Sequence, residues 1–246
     1  MTNELGHQLP GRTVPGRSAR HWWRWILAVA LALIIIVVAG VGAFIKLQPT
    51  AAPFTLSKEA AAAPAGPLNG TWVQAPGTTA GFRVQESALG FSNAVVGRTT
   101  AVTSTIVVSG DQVTSAVIHI SLAAIKIGGK TQPQFARSLD TQADPIATFT
   151  LVRPVSLGQA FLSGATITVT ATGRLAMHET SRLVTVTLTG RRDGSALQAV
   201  GSVPVSFSGW NIAGPAGLGF LGSLASHGIA EFLLILHHSA DTSQGG

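Results

Sequence analysis

The sequence predicts an all-β domain, an antiparallel barrel or sandwich of about eight strands with one short helix, behind a single transmembrane helix. Three observations support this prediction. The chain of 246 residues has one long uncharged run near its N-terminus, at residues 25–45. After residue 69, short runs rich in Thr and Val alternate apolar and polar side chains, a pattern typical of half-buried strands. Gly- and Asp-containing turn signals separate these runs.

The uncharged run 25–45 has the length of a membrane-spanning helix. At about 1.5 Å per residue it reaches roughly 30 Å, the thickness of the hydrocarbon core of a bilayer. The preceding tail, residues 1–24, contains one acid, Glu4, and four bases: Arg12, Arg17, Arg20 and Arg24. The positive-inside rule predicts a single-pass protein of the cell membrane with a cytoplasmic N-terminus and an extracytoplasmic C-terminal domain. The alternative is a cleaved signal peptide, which has a shorter apolar core of about 7–15 residues.

The segments on either side of the predicted β domain are of low complexity. Residues 46–68 are rich in Pro and Ala and contain four prolines, which prevent a long helix, so we expect a semi-extended linker. Residues 239–246 are a polar tail. The β domain is therefore predicted over residues 69–238.

Within this domain the alternating pattern predicts strands joined mostly by short turns. One helix is expected near residues 133–139. Pro204 lies inside a predicted strand and cannot donate a ladder hydrogen bond, so we expect it at a bulge or an unpaired edge. The predicted strands are 81–85, 101–109, 112–125, 147–152, 165–175, 182–190, 197–207 and 228–237.

The predicted strand 112–125 has one apolar face and one mixed face. Its even-numbered residues from position 116 to position 122 are apolar, whereas the other set includes Ser115 and His119. Such a strand fits a barrel wall between solvent and an apolar interior. The pattern leaves open whether that interior is filled with side chains or hollow.

Charge and cysteine content exclude several functional classes. The net charge of +6 is concentrated before residue 47, and the remaining bases are scattered, unlike the clustered basic face of a nucleic-acid-binding protein. The chain has no cysteine, which excludes disulfides, cysteine metal sites and thiol catalysis. The sequence contains no nucleophile-elbow, zinc-helix, phosphate-loop or dinucleotide motif. We therefore expect no catalytic residues, no metal site and no cofactor.

Several stretches of residues 69–238 form a recognisable series: GTWV at 70–73, GFRVQE at 81–86, VGRT at 96–99, SLDT at 138–141, DPIATF at 144–149, GRLAMH at 173–178, RLV at 182–184, the bend at 207–212 and the closing strand at 228–236. In content and in order this series resembles the YceI-like domain family. Four positions depart from the usual family pattern: Thr79-Ala80, Gln132-Pro133, Glu179 and Gly209-Trp210. These departures affect polar contacts to a ligand head group more than the barrel itself.

The resemblance implies a lipocalin-like barrel that holds a long isoprenoid-type lipid without catalysis. Each buried methylene contributes about 0.8 kcal/mol, so an apolar lumen needs no reactive residues to bind such a chain. The alternative is a packed barrel that works as an adaptor through its loops, with protein partners unknown. A hollow lumen would distinguish the first function from the second. The candidate lumen residues are Phe82, Val84, Ile106, Ile118, Ile120, Phe149, Leu151, Phe207, Trp210 and Phe232.

Overall fold

The computed structural model describes residues 31–32, 51–57, 60–88, 91–213 and 222–239. The chain divides into two compact units, residues 1–47 and 48–246. The predicted tail 1–24 lies outside the described residues, as does the predicted span 25–45 except for Leu31 and Ala32, which are helical. Within the described ranges, no helix has the length and apolar character needed to cross a membrane. The membrane anchor therefore stays a prediction.

Twelve strands form one antiparallel sheet, and eight of them close into a barrel. The ring runs β1-β4-β5-β7-β9-β10-β11-β12 and returns to β1, while β2, β3 and β6 extend from β12 and β8 pairs with β5. The all-β prediction and the estimate of about eight barrel strands are confirmed. The strands are β1 Gly70–Gln74, β2 Thr79–Ala88, β3 Phe91–Thr99, β4 Val102–Ser109, β5 Gln112–Ser121, β6 Lys126–Ile127, β7 Ile146–Leu151, β8 Val155–Ser156, β9 Ile167–Met177, β10 Thr180–Asp193, β11 Ala196–Ser206 and β12 Gly222–His238.

Ring closure depends on a strand that the alternation pattern did not identify. β1 is only five residues long and lies between β12 and β4. Its Trp72 pairs with His238 of β12 on one side and with Ile106 of β4 on the other. Its Trp72 is 1% exposed and donates its indole Nε1–H to the Leu68 carbonyl at 2.8 Å. The predicted strand 81–85 belongs to β2, which pairs with β12 outside the closed ring.

The described part of the β domain has two short α-helices and one 3₁₀ turn, so the prediction of a single helix there is wrong. Helix α1, Pro133–Ser138, lies where it was predicted. Helix α2, Gly158–Leu162, is a single turn whose Phe161 is buried in the main core. A segment this short is stabilised by tertiary packing rather than by a sequence pattern of its own. The 3₁₀ turn covers Ser208–Trp210.

Pro204 lies where it was expected, at a position paired on one side only. On one side it pairs with Ile229 of β12. On the other side the β10–β11 ladder ends at Thr187↔Ser202, two residues before it. Because proline lacks an N–H, it cannot continue that ladder, and the two strands separate towards one end of the barrel. We call this end the mouth.

The described part of the predicted linker is hydrogen-bonded to the barrel. We call residues 51–57 and 60–68 the strap. Arg191, only 1% exposed, donates to the Ser57 carbonyl at 2.7 Å, and Arg192 donates to the Ala65 and Gly66 carbonyls at 3.0 and 2.8 Å. The strap thus crosses the β10–β11 hairpin and closes over the end opposite the mouth, the base.

A buried charge cluster on the outer face of β2, β3 and β12 holds the other end of the strap. Glu231 accepts hydrogen bonds from Arg98 at 2.8 Å and Arg83 at 3.4 Å. The same guanidinium groups donate to the carbonyls of residues 52 and 51, and Arg98 lies 3.6 Å from the centroid of the Phe54 ring. Burial lowers the pKa of Arg98, and Glu231 partly opposes that effect.

Candidate functional site

The interior of the barrel is hollow and consists of two neighbouring chambers. The inner chamber, towards the base, has a volume of about 180 Å³, and the outer chamber, towards the mouth, about 120 Å³. Both have almost entirely apolar walls. Four residues line both chambers and form a waist between them: Gly81, Ile120, Leu175 and Ala230. The two chambers are therefore parts of one lumen.

Alternation along the strands explains why these walls are apolar. On β4, the buried residues Val102, Ile106 and Val108 line the lumen, whereas Thr103, Thr105 and Val107 are exposed or half-buried. On β12, Phe232, Leu234 and Leu236 line the same space. Side chains that are two residues apart on a strand share a face, so the sequence pattern transfers directly to the wall.

Nine of the ten candidate lumen residues line the chambers. Ile120 is at the waist, and Trp210 lines neither of the two chambers, packing instead with Leu175, Val205 and Ile212. The residues of the inner chamber are Ile106, Ile118, Phe149, Leu151 and Phe232, and those of the outer chamber are Phe82, Val84 and Phe207. The structure thus brings most of the set together around one space.

Glycines within the strands leave space for the phenylalanine rings to lie along the wall. A Cβ atom at Gly173 would lie 2.1 Å from Cζ of Phe149, and one at Gly201 would lie 2.5 Å from Cζ of Phe232. Each ring therefore occupies the space over a glycine on a neighbouring strand. An isolated glycine inside a strand pattern indicates a close approach of another group, although the sequence does not say which ring lies there.

Gln198 and Glu231, the polar residues among those that border the inner chamber in the described part of the chain, have their side chains hydrogen-bonded to groups outside the lumen. The Gln198 amide accepts from Arg191 at 3.1 Å and donates to Asp193 at 2.8 Å. The Glu231 carboxylate is held by the two arginines of the outer cluster. An unpaired polar group in such a site would cost several kcal/mol, so the inner chamber suits a hydrocarbon chain and not a polar head group.

The mouth carries the polar groups of the lumen and the segments that cover it. Helix α1 lies over the outer chamber, where Phe135 stacks on Phe82 with ring centroids 5.7 Å apart. The turn between β9 and β10 is hydrogen-bonded to two other segments at this end. The His178 ring hydrogen-bonds the carbonyl of Trp210 in the 3₁₀ turn at 2.9 Å. The Glu179 N–H donates to the carboxylate of Asp144, which precedes β7, at 2.9 Å. Sequence reasoning predicted helix α1 but did not place it, or the turn between β9 and β10, over the lumen.

In the part of the chain that the structure describes, no three His, Asp or Glu side chains come together as a metal site would require. The arrangement as a whole offers burial of a long apolar molecule. Among the lining residues that the structure describes, no pair of reactive side chains faces the lumen.

Comparisons with known proteins agree with the barrel architecture. A polyisoprenoid-binding domain from Saccharophagus degradans, implicated in plant cell wall breakdown, superposes with a TM-score of 0.53 at 15% identity, covering 70% of this chain and 99% of that one. BcnA from Burkholderia cenocepacia gives 0.47 at 17% identity, covering 63% and 95%. The YceI protein from Campylobacter jejuni gives 0.45 at 13%, covering 63% and 90%. At these identities the likeness to the first domain establishes the fold alone.

No protein of curated function matches the chain. In sequence, residues 72–227 match the YceI-like domain, a stretch that covers more than half of the 246 residues and nearly the whole barrel. The match covers strands β2 to β11, the turn between β9 and β10 and three of the four waist residues, whereas residues 228–238 of β12 lie beyond it. This protein therefore belongs to the YceI-like domain family.

Proposed function

We propose that this protein is a membrane-anchored, extracytoplasmic binding protein that holds a long isoprenoid-type lipid in its barrel lumen without chemically altering it. The observation that carries the proposal is the hollow lumen, whose two chambers meet at a waist and have apolar walls. A narrow apolar passage of this kind fits an extended hydrocarbon chain better than a compact polar molecule.

The size of the inner chamber argues that it serves a ligand. Cavities in protein cores cost about 24 cal/mol per Å³, so an empty chamber of about 180 Å³ forgoes about 4 kcal/mol of packing. Domains are stable by only about 5–15 kcal/mol in total. A lipid that fills the chamber restores those contacts. The packed-barrel adaptor has no such use for an open interior.

The choice of an isoprenoid-type lipid rests on membership in the YceI-like family and on the fold shared with the polyisoprenoid-binding domain from Saccharophagus degradans. The proposed location rests on residues 1–45: the uncharged run 25–45 and the arginines that precede it. Binding of a hydrocarbon chain alone explains why the lumen walls are apolar, so the proposal needs no catalytic group that faces the lumen.

Native mass spectrometry of the purified chain, mixed with extracted membrane lipid, tests the ligand. We expect one lipid per chain, in a mass series spaced by one isoprene unit. A chain that retains no lipid, or that takes straight-chain lipids equally well, would contradict the proposal. The location is tested separately with an impermeant thiol reagent, since the chain has no cysteine. Ala61→Cys should react in intact cells and Ser18→Cys should not, and the reverse labelling would refute the topology.

A further inference from the structure

The mouth contains a set of polar groups, of which the Arg182 guanidinium and the Trp210 indole N–H have no hydrogen-bond partner among the described residues. We call this set of residues the ledge: Arg182, Ser206, Ser208, Gly209 and Trp210. Arg182 pairs with Leu175 in the β9–β10 ladder, so the two side chains share the inner face of the barrel. Leu175 lines both chambers. Arg182 therefore occupies the inward-facing position of β10 nearest the mouth that carries a basic side chain.

Arg182 lacks an anionic partner. Among the described residues it forms no ion pair and no hydrogen bond, although its guanidinium carbon lies 5.7 Å from the centroid of the Trp210 ring. Arg192, the other arginine on this face of β10, differs in that its guanidinium is occupied by strap carbonyls at the base. Arg182, by contrast, is exposed, and its whole guanidinium is available to a ligand at the mouth.

The separation of β10 from β11 leaves space beside Arg182. The ladder between these strands stops at Thr187↔Ser202, and the 3₁₀ turn follows where β11 ends. A Cβ atom at Gly209 would lie 3.9 Å from both Nε of Arg182 and Oγ of Ser206. The glycine thus lies between a guanidinium and a hydroxyl group, and the Ser206 and Ser208 hydroxyls are 3.1 Å apart.

Trp210 provides a second, independent sign of a missing acceptor. The residue is 5% exposed, yet its indole Nε1–H has no acceptor in the described part of the protein. A buried donor without a partner costs about 1–3 kcal/mol, so such groups are rare unless a ligand or water satisfies them. Phe207 and Ile212, on either side of the 3₁₀ turn, line the outer chamber directly beneath.

We infer that the ledge binds the anionic, phosphate-type head group of a lipid whose tail lies in the lumen; this inference rests on the proposed function. The inner chamber has no unused polar group, so the tail enters first and the head group remains at the mouth. The guanidinium forms charge-assisted hydrogen bonds to phosphate oxygens, and the serine hydroxyls supply further donors. Asp144 and Glu179 lie at the same end, but the Asp144 carboxylate is engaged by a backbone N–H.

Farnesyl phosphate and farnesol, which share one tail and differ in the head group, test the inference on the full chain stabilised in amphipol. The wild-type chain should bind the phosphate at least tenfold more tightly. Arg182→Gln should reduce the affinity for farnesyl phosphate by about tenfold and leave that for farnesol within twofold. Trp210→Phe keeps an aromatic ring but removes the indole N–H donor. It should reduce the affinity for farnesyl phosphate by less than Arg182→Gln does and leave the affinity for farnesol unchanged.

Arg174→Gln is the matched control, because Arg174 is exposed on the neighbouring strand and pairs with the outward-facing Leu183. It should change neither affinity. Two outcomes would overturn the head-group site and leave the lumen proposal intact. One is a wild-type chain with equal affinity for farnesyl phosphate and farnesol. The other is an Arg182→Gln variant in which the ratio of these two affinities is the same as in the wild type. A wild-type chain that binds neither ligand would overturn both.

Discussion

Ala116→Leu distinguishes a hollow lumen from a filled one by the sign of its effect on stability. Ala116 is 7% exposed, lies on β5 opposite Ile106 and lines the inner chamber. Leucine adds three carbons, and at about 0.8 kcal/mol per methylene these should stabilise the delipidated barrel by about 2 kcal/mol if they enter empty space. In a filled core the same change would be destabilising by about 1–3 kcal/mol.

The measurement is urea unfolding of the unit 48–246, delipidated and lipid-loaded, with the midpoint and slope both fitted. The delipidated variant should be more stable than the wild type, whereas its retention of lipid should fall by about tenfold or more, since the leucine occupies tail space. Leu68→Trp is the control: Leu68 packs in the same core cluster but lines neither chamber, so enlargement there should be destabilising. An Ala116→Leu variant that loses stability when delipidated would refute the hollow-lumen account.

Three further predictions follow from other parts of the structure. Ile120→Glu places a carboxylate at the waist; it should abolish lipid retention with only a modest fall in Tm, and wholesale unfolding would favour a packed core instead. In urea unfolding, a chain that begins at residue 69 should be less stable by a few kcal/mol than one that begins at residue 48, because Arg191 and Arg192 lose the strap carbonyls to which they donate. Equal stability of the two chains would show that the strap contributes nothing. Glu179 has φ of 55°, so Glu179→Gly should raise stability by about 1 kcal/mol in thermal unfolding, and a loss would mean that its side chain is needed.

The walls of the lumen were predictable because they depend on local alternation. In β5 and β12, every second residue faces inwards, so Ile118, Ile120 and Phe232 could be assigned from the sequence alone. Ring closure through β1 could not be assigned in the same way. That strand is five residues long, and its place depends on pairing with residues 236–238 of β12, more than 160 residues later in the chain.

The hollow interior and the strap depend on contacts between distant residues. Whether Phe149 fills the lumen or lies against the wall depends on Gly173, which is on another strand. The hydrogen bonds from Arg191 and Arg192 to the strap could not be predicted from the sequence. Their acceptors are backbone carbonyls, which every residue has, so no residue type in the strap identifies them. Trp210 was assigned to the lumen because it is aromatic; the structure assigns it to the cluster at the mouth.

A crystal structure of residues 48–246 grown with a long polyprenol would show directly whether the lumen holds a lipid. We expect continuous tubular density that starts in the inner chamber, passes the waist at Ile120 and ends near the ledge, with the phenylalanine rings still against their glycines. A lumen filled by its own side chains, with the polyprenol absent or bound on the outer surface, would contradict this expectation.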